Sequence, residues 1–412
     1  MDNYIECDTF QEDERRINES KVRDIFTPFT PISNLTFFQG RKEEMHKGLS
    51  ALNTPGQHLL LFGDRGVGKS SLANIISNQL VNITGRKLIK KSCSSSDSFE
   101  TIVEDVLLEA GIDTLQISHK SKKGLGIKGF SMESETSKSG YVEKVKSPSW
   151  VSKIIKDENV LFLIDEFDSI QVQGDKKKIA ELIKLLSDSN SKIKVFIVGI
   201  AESSIELTEG HPSVQRCLKE IKLNKMTNRE LWQILYQGEK RLKIQFSNSA
   251  KLRICRLSSG YPHFTHLIAL KAAENAIIDE KKAIDIPDVD RAVKEAVEDG
   301  ENVLANSYRK SMSSFSSKTL EKCKQILYSI SLCRDEFIRN DQIRIKYETI
   351  FHEDLPMVTL NNFLSKIVSD KEDKLLRRLS KGVYRFNDPR MISYIKLANY
   401  DFFSELDNEE TE

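Results

Sequence analysis

The chain has 412 residues, 39% apolar and 30% charged, with a formal net charge of +1. That is enough apolar mass for a buried core in about two or three domains, and the balanced charge excludes a polycation, so any nucleic-acid contact must come from local patches. The six cysteines form no C-x-x-C pair or zinc spacing, and no apolar run is long enough to cross a bilayer. Residues 1–25 are polar and read as an arm without a secretion signal, which with the scattered cysteines predicts a cytoplasmic protein. Phe26 to Pro31 cannot be helical, because each proline pushes its predecessor into an extended conformation. Phe38-Gln39-Gly40-Arg41-Lys42-Glu43-Glu44 is a turn opening a helix to about Leu52. Strand-length apolar runs then alternate with amphipathic helices. Strands are predicted at His58–Phe62, Lys87–Cys93, Val160–Ile164 and Lys194–Gly199. Helices are predicted at Ser70–Leu80, Ser98–Ala110 (with Asp97 as N-cap) and Lys178–Ser187. That alternation predicts an α/β fold: a parallel sheet covered by helices on both faces, over residues 26–222.

Residues 118–146 interrupt the rhythm with lysines, serines and four glycines. They read as an inserted loop or hairpin, either a solvated surface feature or a contact for nucleic acid or a partner. After Leu223 the strands stop. Thr227-Asn228-Arg229-Glu230 is a capping box that opens the first of several helices, giving a helical domain over 223–300. Residues 301–317 are polar and serine-rich and read as a linker. Residues 318–400 read as three helices and a hairpin turning at Ser380-Lys381-Gly382, the outline of a winged helix, and residues 401–412 form an acidic tail.

Gly63-Asp64-Arg65-Gly66-Val67-Gly68-Lys69-Ser70 fits G-x-x-x-x-G-K-[ST] in full, between a predicted strand and a predicted helix. Glycines there let backbone N–H groups wrap phosphates, and the helix N-terminus adds positive partial charge. Gly63 to Ser71 are therefore the nucleotide-binding candidates. Lys69 is expected on the β- and γ-phosphates of ATP, and Ser70 on Mg²⁺. Val160-Leu161-Phe162-Leu163-Ile164-Asp165-Glu166 is an apolar strand ending in two carboxylates at the edge where open α/β sheets bind ligands. Asp165 is the second metal candidate and Glu166 the residue that polarises the attacking water.

This combination resembles the AAA+ ATPases, and within them the initiator clade of origin-recognition proteins and related prokaryotic ATPases of transposition and defence. Phe38-Gln39-Gly40-Arg41-Lys42-Glu43-Glu44 resembles the clade's F-x-G-R-x-x-E motif, and Val198-Gly199-Ile200-Ala201-Glu202 resembles its sensor strand, with Glu202 or Ser203 where the family has a polar sensor. The resemblance implies ATP hydrolysis, a helical lid, and a homo-oligomer with ATP at subunit interfaces. His211 to Cys217 resembles the segment ending in an arginine finger, which makes Arg216 the candidate; the alternative is an ordinary surface arginine. Gly260-Tyr261-Pro262-His263 falls on the second sensor motif, with His263 where the family has arginine; the alternative is a helix-start histidine without a ligand.

The candidate nucleic-acid residues are Lys366 on the third C-terminal helix and Arg377, Arg378 and Lys381 on the hairpin. Acidic neighbours dilute that field. Two readings follow: an ATP-dependent switch on double-stranded DNA, or an ATP-gated oligomer that works on a protein effector. A small-molecule kinase fits the helical and C-terminal segments poorly.

Overall fold

The computed structural model describes residues 20–112, 147–200, 212–298, 302–333, 335–369 and 374–403. The basic insertion, Glu202 and Ser203, and nearly all of the polar arm and acidic tail lie outside them. The described residues fall into two compact units. One holds 31–64 and 68–224; the other holds the residues up to Thr30, Arg65–Val67, and those from Lys225 onward.

The first unit is built on a five-stranded sheet. In chain order its elements are α1 (Lys42–Asn53), β1 (His58–Gly63), α2 (Lys69–Thr84), β2 (Lys87–Ser92), α3 (Phe99–Glu109), α4 (Pro148–Ile155), β3 (Val160–Asp165), α5 (Gln173–Asp188), β4 (Lys194–Gly199) and β5 (Leu218–Leu223). The strand order is β2-β3-β4-β1-β5, with every pairing parallel. Side chains alternate across the sheet as strand geometry requires. Leu60, Ile89, Phe162, Ile164, Val195 and Ile197 join one core with α3, α4 and α5. On the opposite face Leu59 packs with Ile76 of α2 beneath Gly48 of α1. All six positions of β3 and of β4 are buried, as a strand covered on both faces demands.

The predicted strands form, and β5 is an addition to them. Its sequence Leu-Lys-Glu-Ile-Lys-Leu buries only Leu218, Ile221 and Leu223, and as an edge strand it tolerates outward charges that hide its strand character. The N-cap of α3 is Ser98, which accepts from Thr101 N; Asp97, predicted for that position, accepts from Ser94 N at 2.7 Å one step earlier. Gly40 and Arg41 both take positive φ, and the buried Arg41 guanidinium donates to the carbonyl of Asn224, joining the start of this unit to the end of its last strand.

In the second unit, α6 (Asn228–Leu242), α7 (Asn248–Ser258), α8 (Pro262–Ile278) and α9 (Ile286–Glu298) surround a two-stranded parallel ladder, β6 (Gln245–Phe246) with β7 (Ala283–Ile284). Thr227 and Glu230 make the predicted reciprocal cap of α6. Phe26, read from the sequence as part of the sheet domain, packs here instead: its ring meets Phe246 edge-on at 6.3 Å, and only a glycine at 238 leaves it room.

The predicted linker is corrected. A helix, α10 (Asn302–Met312), fills most of 301–317, because Leu304, Ala305, Tyr308 and Met312 recur at helical spacing and are buried. Next come α11 (Ser317–Ser331), β8 (Ile338–Arg339), α12 (Asn340–Phe351), α13 (Met357–Ile367), β9 (Leu376–Ser380), β10 (Val383–Phe386), α14 (Met391–Ala398) and α15 (Tyr400–Phe403). β10 lies antiparallel between β8 and β9, and Gly382, at φ 75°, makes the predicted turn.

Candidate nucleotide site

The glycine-rich loop follows β1 directly and ends where α2 begins. Gly68 is the N-cap of α2 with φ 95°, a left-handed conformation that a Cβ would strain. Leu72 N donates to Gly68 O at 3.0 Å, so the helix is hydrogen-bonded from its first turn and leaves its leading N–H groups directed at the loop. Lys69 Nζ turns into the curl of its own loop and donates to the carbonyls of Gly63 at 3.0 Å and Asp64 at 2.8 Å. A phosphate held by the loop's amides would meet that ammonium. Val67 is buried and anchors the loop, while Arg65 is exposed.

The carboxylates come from the next strand but one. Asp165 ends β3 and is only 6% exposed. Its Oδ1 accepts from Ser70 Oγ at 3.4 Å and from Glu166 N at 2.9 Å, and Lys90 Nζ lies 3.9 Å from Oδ2. Ser70 and Asp165 thus put two hard oxygens side by side at the sheet edge, a donor set that fits Mg²⁺ with water completing its shell. Glu166 has φ 55°, which is costly for a residue with a side chain, and it leaves the strand with an exposed carboxylate. Ser92, in register with Asp165 across β2–β3, donates to Glu166 Oε2 at 3.0 Å.

Sequence reading missed Ser92 and Lys90. The signal for both was positional: they share one face of β2 near its carboxyl end, beside the acidic strand. The adjoining loop is held by Asp97, whose carboxyl is partly desolvated but drops to about 2 because Lys91, Ser94 and Thr101 all donate to it or attract it. Cys93 beneath it is pushed up to about 12, first by burial and then by Asp97, which makes it an inert thiol.

Other candidates stand in different surroundings. Ser71 Oγ accepts from Ile32 N at 3.0 Å, so it faces the segment before α1. Arg216 ends a 3₁₀ turn, Pro212–Arg216; its side chain is 66% exposed and pairs with Asp188 at 2.6 Å. His263, in the first turn of α8, holds Pro28 O at 2.8 Å through Nδ1, which must therefore carry the proton. Lys366 folds back: its ammonium donates to Ser314 O at 3.2 Å and lies 4.7 Å from the centre of the Phe315 ring. Arg377 lies within β9, Arg378 sits 5.9 Å from the Tyr384 ring, and Arg378 to Lys381 are exposed around the hairpin tip.

No helix among the described residues is long and apolar enough to cross a membrane. No curated protein matches the chain in sequence. Solved structures similar to it include the Walker-type ATPase of Pyrococcus abyssi, at 18% identity and TM-score 0.49, covering 89% of this chain and 99% of that one. Another is the ORC2 protein of Aeropyrum pernix, at 14% identity and TM-score 0.49, covering 93% and 98%. A third is Cdc6p of Pyrobaculum aerophilum, at 13% identity and TM-score 0.47, covering 95% and 99%. Residues 59–225 match the profile of the ATPase family associated with various cellular activities. The matched segment runs from β1, through the glycine-rich loop and the Asp165–Glu166 edge, to just past β5. Over residues 59–225, less than half of its length, the chain is similar to that AAA family.

Proposed function

We propose that the chain binds ATP with Mg²⁺ on the Gly63–Ser71 loop, hydrolyses it, and uses the cycle as a switch on double-stranded DNA. The observation that carries the ATPase reading is the convergence at one sheet edge of Lys69 Nζ, the Ser70–Asp165 pair and the Ser92–Glu166 pair. The loop amides and Lys69 hold the phosphates, and Ser70 and Asp165 hold the metal. Bound Mg²⁺ supplies charge neutralisation on the transferring phosphoryl group. Glu166 takes the proton of the attacking water; the Ser92 hydrogen bond keeps its carboxylate turned aside until the water is in place. Arg216, exposed and held only by a surface pair worth about 0–1 kcal/mol, is available to a neighbouring copy's phosphates at little cost.

The C-terminal helices with the β8-β10-β9 sheet support a winged-helix reading, in which Arg377, Arg378 and Lys381 on the hairpin suit phosphate contact. A specific observation favours a second reading. Met357 and Val358, opening α13, are 40% and 71% exposed, and Leu379 near the hairpin tip is 44% exposed. Apolar side chains on the helix and hairpin that would meet DNA suit a protein effector better.

The deciding experiment is DNA binding with and without ATP at two salt concentrations, for wild type and Lys69→Ala. Salt-sensitive binding that ATP strengthens and Lys69→Ala abolishes supports the DNA switch. No binding under any condition leaves the effector reading.

A further inference from the structure

Lys90 places an ammonium directly beside the candidate metal ligand Asp165. It lies on β2 two residues before Ser92, and the parallel register pairs Lys90 with Leu163 and Ser92 with Asp165. Successive side chains alternate across a strand, so Lys90 and Ser92 rise from one face of β2. The start of α2 lies over that face. Lys90 Nζ donates to Asn74 Oδ1 at 3.0 Å and comes within 3.9 Å of Asp165 Oδ2. Asn74 follows Ser70 by one helical turn, so both stand on the same side of α2. Ser70, Asn74, Lys90 and Asp165 all belong to the sheet unit.

The two oxygens of Asp165 therefore serve different neighbours. Oδ1 meets Ser70 Oγ and Glu166 N, while Oδ2 is turned to Lys90. The residue is only 6% exposed, and a carboxylate so far removed from water is costly without a compensating cation. Lys90 supplies that charge. Its hydrogen bond goes to the Asn74 amide, which holds the ammonium near Oδ2 and leaves Oδ1 clear for a metal ion shared with Ser70.

We propose that Lys90 sets the metal affinity of this edge, so that a divalent cation is retained only together with the phosphates of a nucleotide. This rests on the loop being a nucleotide site. A cation between Ser70 and Asp165 is attracted by the carboxylate and repelled by the ammonium beside it. Asp165 and Glu166 set against Lys69 and Lys90 leave these four side chains with no net negative charge to offer. Mg²⁺ surrenders its water reluctantly and needs anionic oxygens to hold it. A di- or triphosphate brings several of them, and their charge outweighs one ammonium. Metal uptake is thereby made to follow nucleotide uptake, and the cation alone does not fill the edge.

The test titrates nucleotide-free, full-length protein with Mn²⁺, a paramagnetic substitute for Mg²⁺ whose free fraction is read by electron paramagnetic resonance. The unfolding midpoint without metal is the folding control. The Lys90 side chain is 38% exposed, so water screens part of its field, and its removal should tighten Mn²⁺ binding by about tenfold. Lys90→Met should show this gain. Lys90→Gln, which can keep a hydrogen bond to Asn74, should show it too, whereas Lys90→Arg should bind as wild type does. Adding Asp165→Asn to Lys90→Met should erase the gain, which places the ion at Asp165. Wild-type or weaker Mn²⁺ binding by Lys90→Met and Lys90→Gln overturns the proposal, as does a gain that survives Asp165→Asn. If wild type takes up no ATP with Mg²⁺, the loop reading itself fails; if it does and the Lys90 variants bind Mn²⁺ as wild type does, only the role of Lys90 falls.

Discussion

The glycine-rich loop and the C-terminal hairpin both carry cations that we propose for phosphate, yet they are built on opposite principles. At the loop, backbone amides and one lysine are aimed by the strand-to-helix geometry, so the residue pattern itself dictates where the charge points. At the hairpin, recognition depends on side chains alone. Arg378 lies beside Tyr384 and Lys381 stands exposed at the tip, while Lys366 on the neighbouring α13 folds onto Phe315. Chemistry carried by backbone can be read from spacing; chemistry carried by long side chains is decided by whatever they pack against.

The contrast is broken most directly at the sheet edge. Glu166→Gln should lower turnover by roughly a hundredfold or more while leaving ATP affinity intact, as expected for loss of a general base. Single-turnover hydrolysis and equilibrium binding check the two halves, and wild-type turnover would remove Glu166 from its role.

Acid stability probes both units in the same way, because among the described residues each holds a buried histidine whose Nδ1 accepts a backbone N–H. His58 accepts from Val195 N at 2.9 Å and is lowered to about 3 by burial and then Lys194; His266 accepts from Thr27 N at 3.2 Å and is lowered to about 4 by burial and then His263. The unfolded chain takes up these protons near pH 6.5, whereas the folded chain resists until about pH 3 or 4. Stability from each is complete above pH 6.5 and drains away as the pH falls. The loss from His58 should reach a few kcal/mol, on the order of one to two per pH unit. His58→Gln should flatten the acid limb of the sheet unit's unfolding, with that of the helical unit unchanged. An unaltered slope in urea titrations at pH 7 and pH 4.5 would rule it out.

Ser92→Ala has a smaller expected effect. Freeing the Glu166 carboxylate should raise basal turnover by about tenfold, the low end of what one hydrogen bond to a charged group is worth. Steady-state hydrolysis decides, and a fall would make Ser92 a positioning residue for the carboxylate instead. Smallest of all, Lys381→Ala should weaken DNA binding by about threefold and reduce its salt slope by about one. If Val358→Ser or Leu379→Ser instead abolishes capture of a protein partner while DNA binding stays at background, the hairpin belongs to that partner.

Much of the sheet unit was legible because apolar strands between amphipathic helices have only one way to be covered on both faces. The loop residues and Asp165–Glu166 were legible because their chemistry demands a strand end. Ser92 was hidden because its role arises from parallel register, which joins residues 73 positions apart and leaves no local pattern. β5 escaped because its charged edge breaks the alternation, and α10 because serines, an arginine and a lysine mask four apolar positions.

That last helix decides how the protein can be taken apart. Tyr308 of α10 donates to Asn399 at 2.9 Å and meets the Tyr394 ring at 5.8 Å, all three being buried. A fragment begun at Ser317 would lose this wall and bring the Tyr394 face and the Asn399 amide into water. Cut before Asn302 instead, the same fragment keeps its own lining, and its behaviour in isolation then reports on the folded region rather than on a wound.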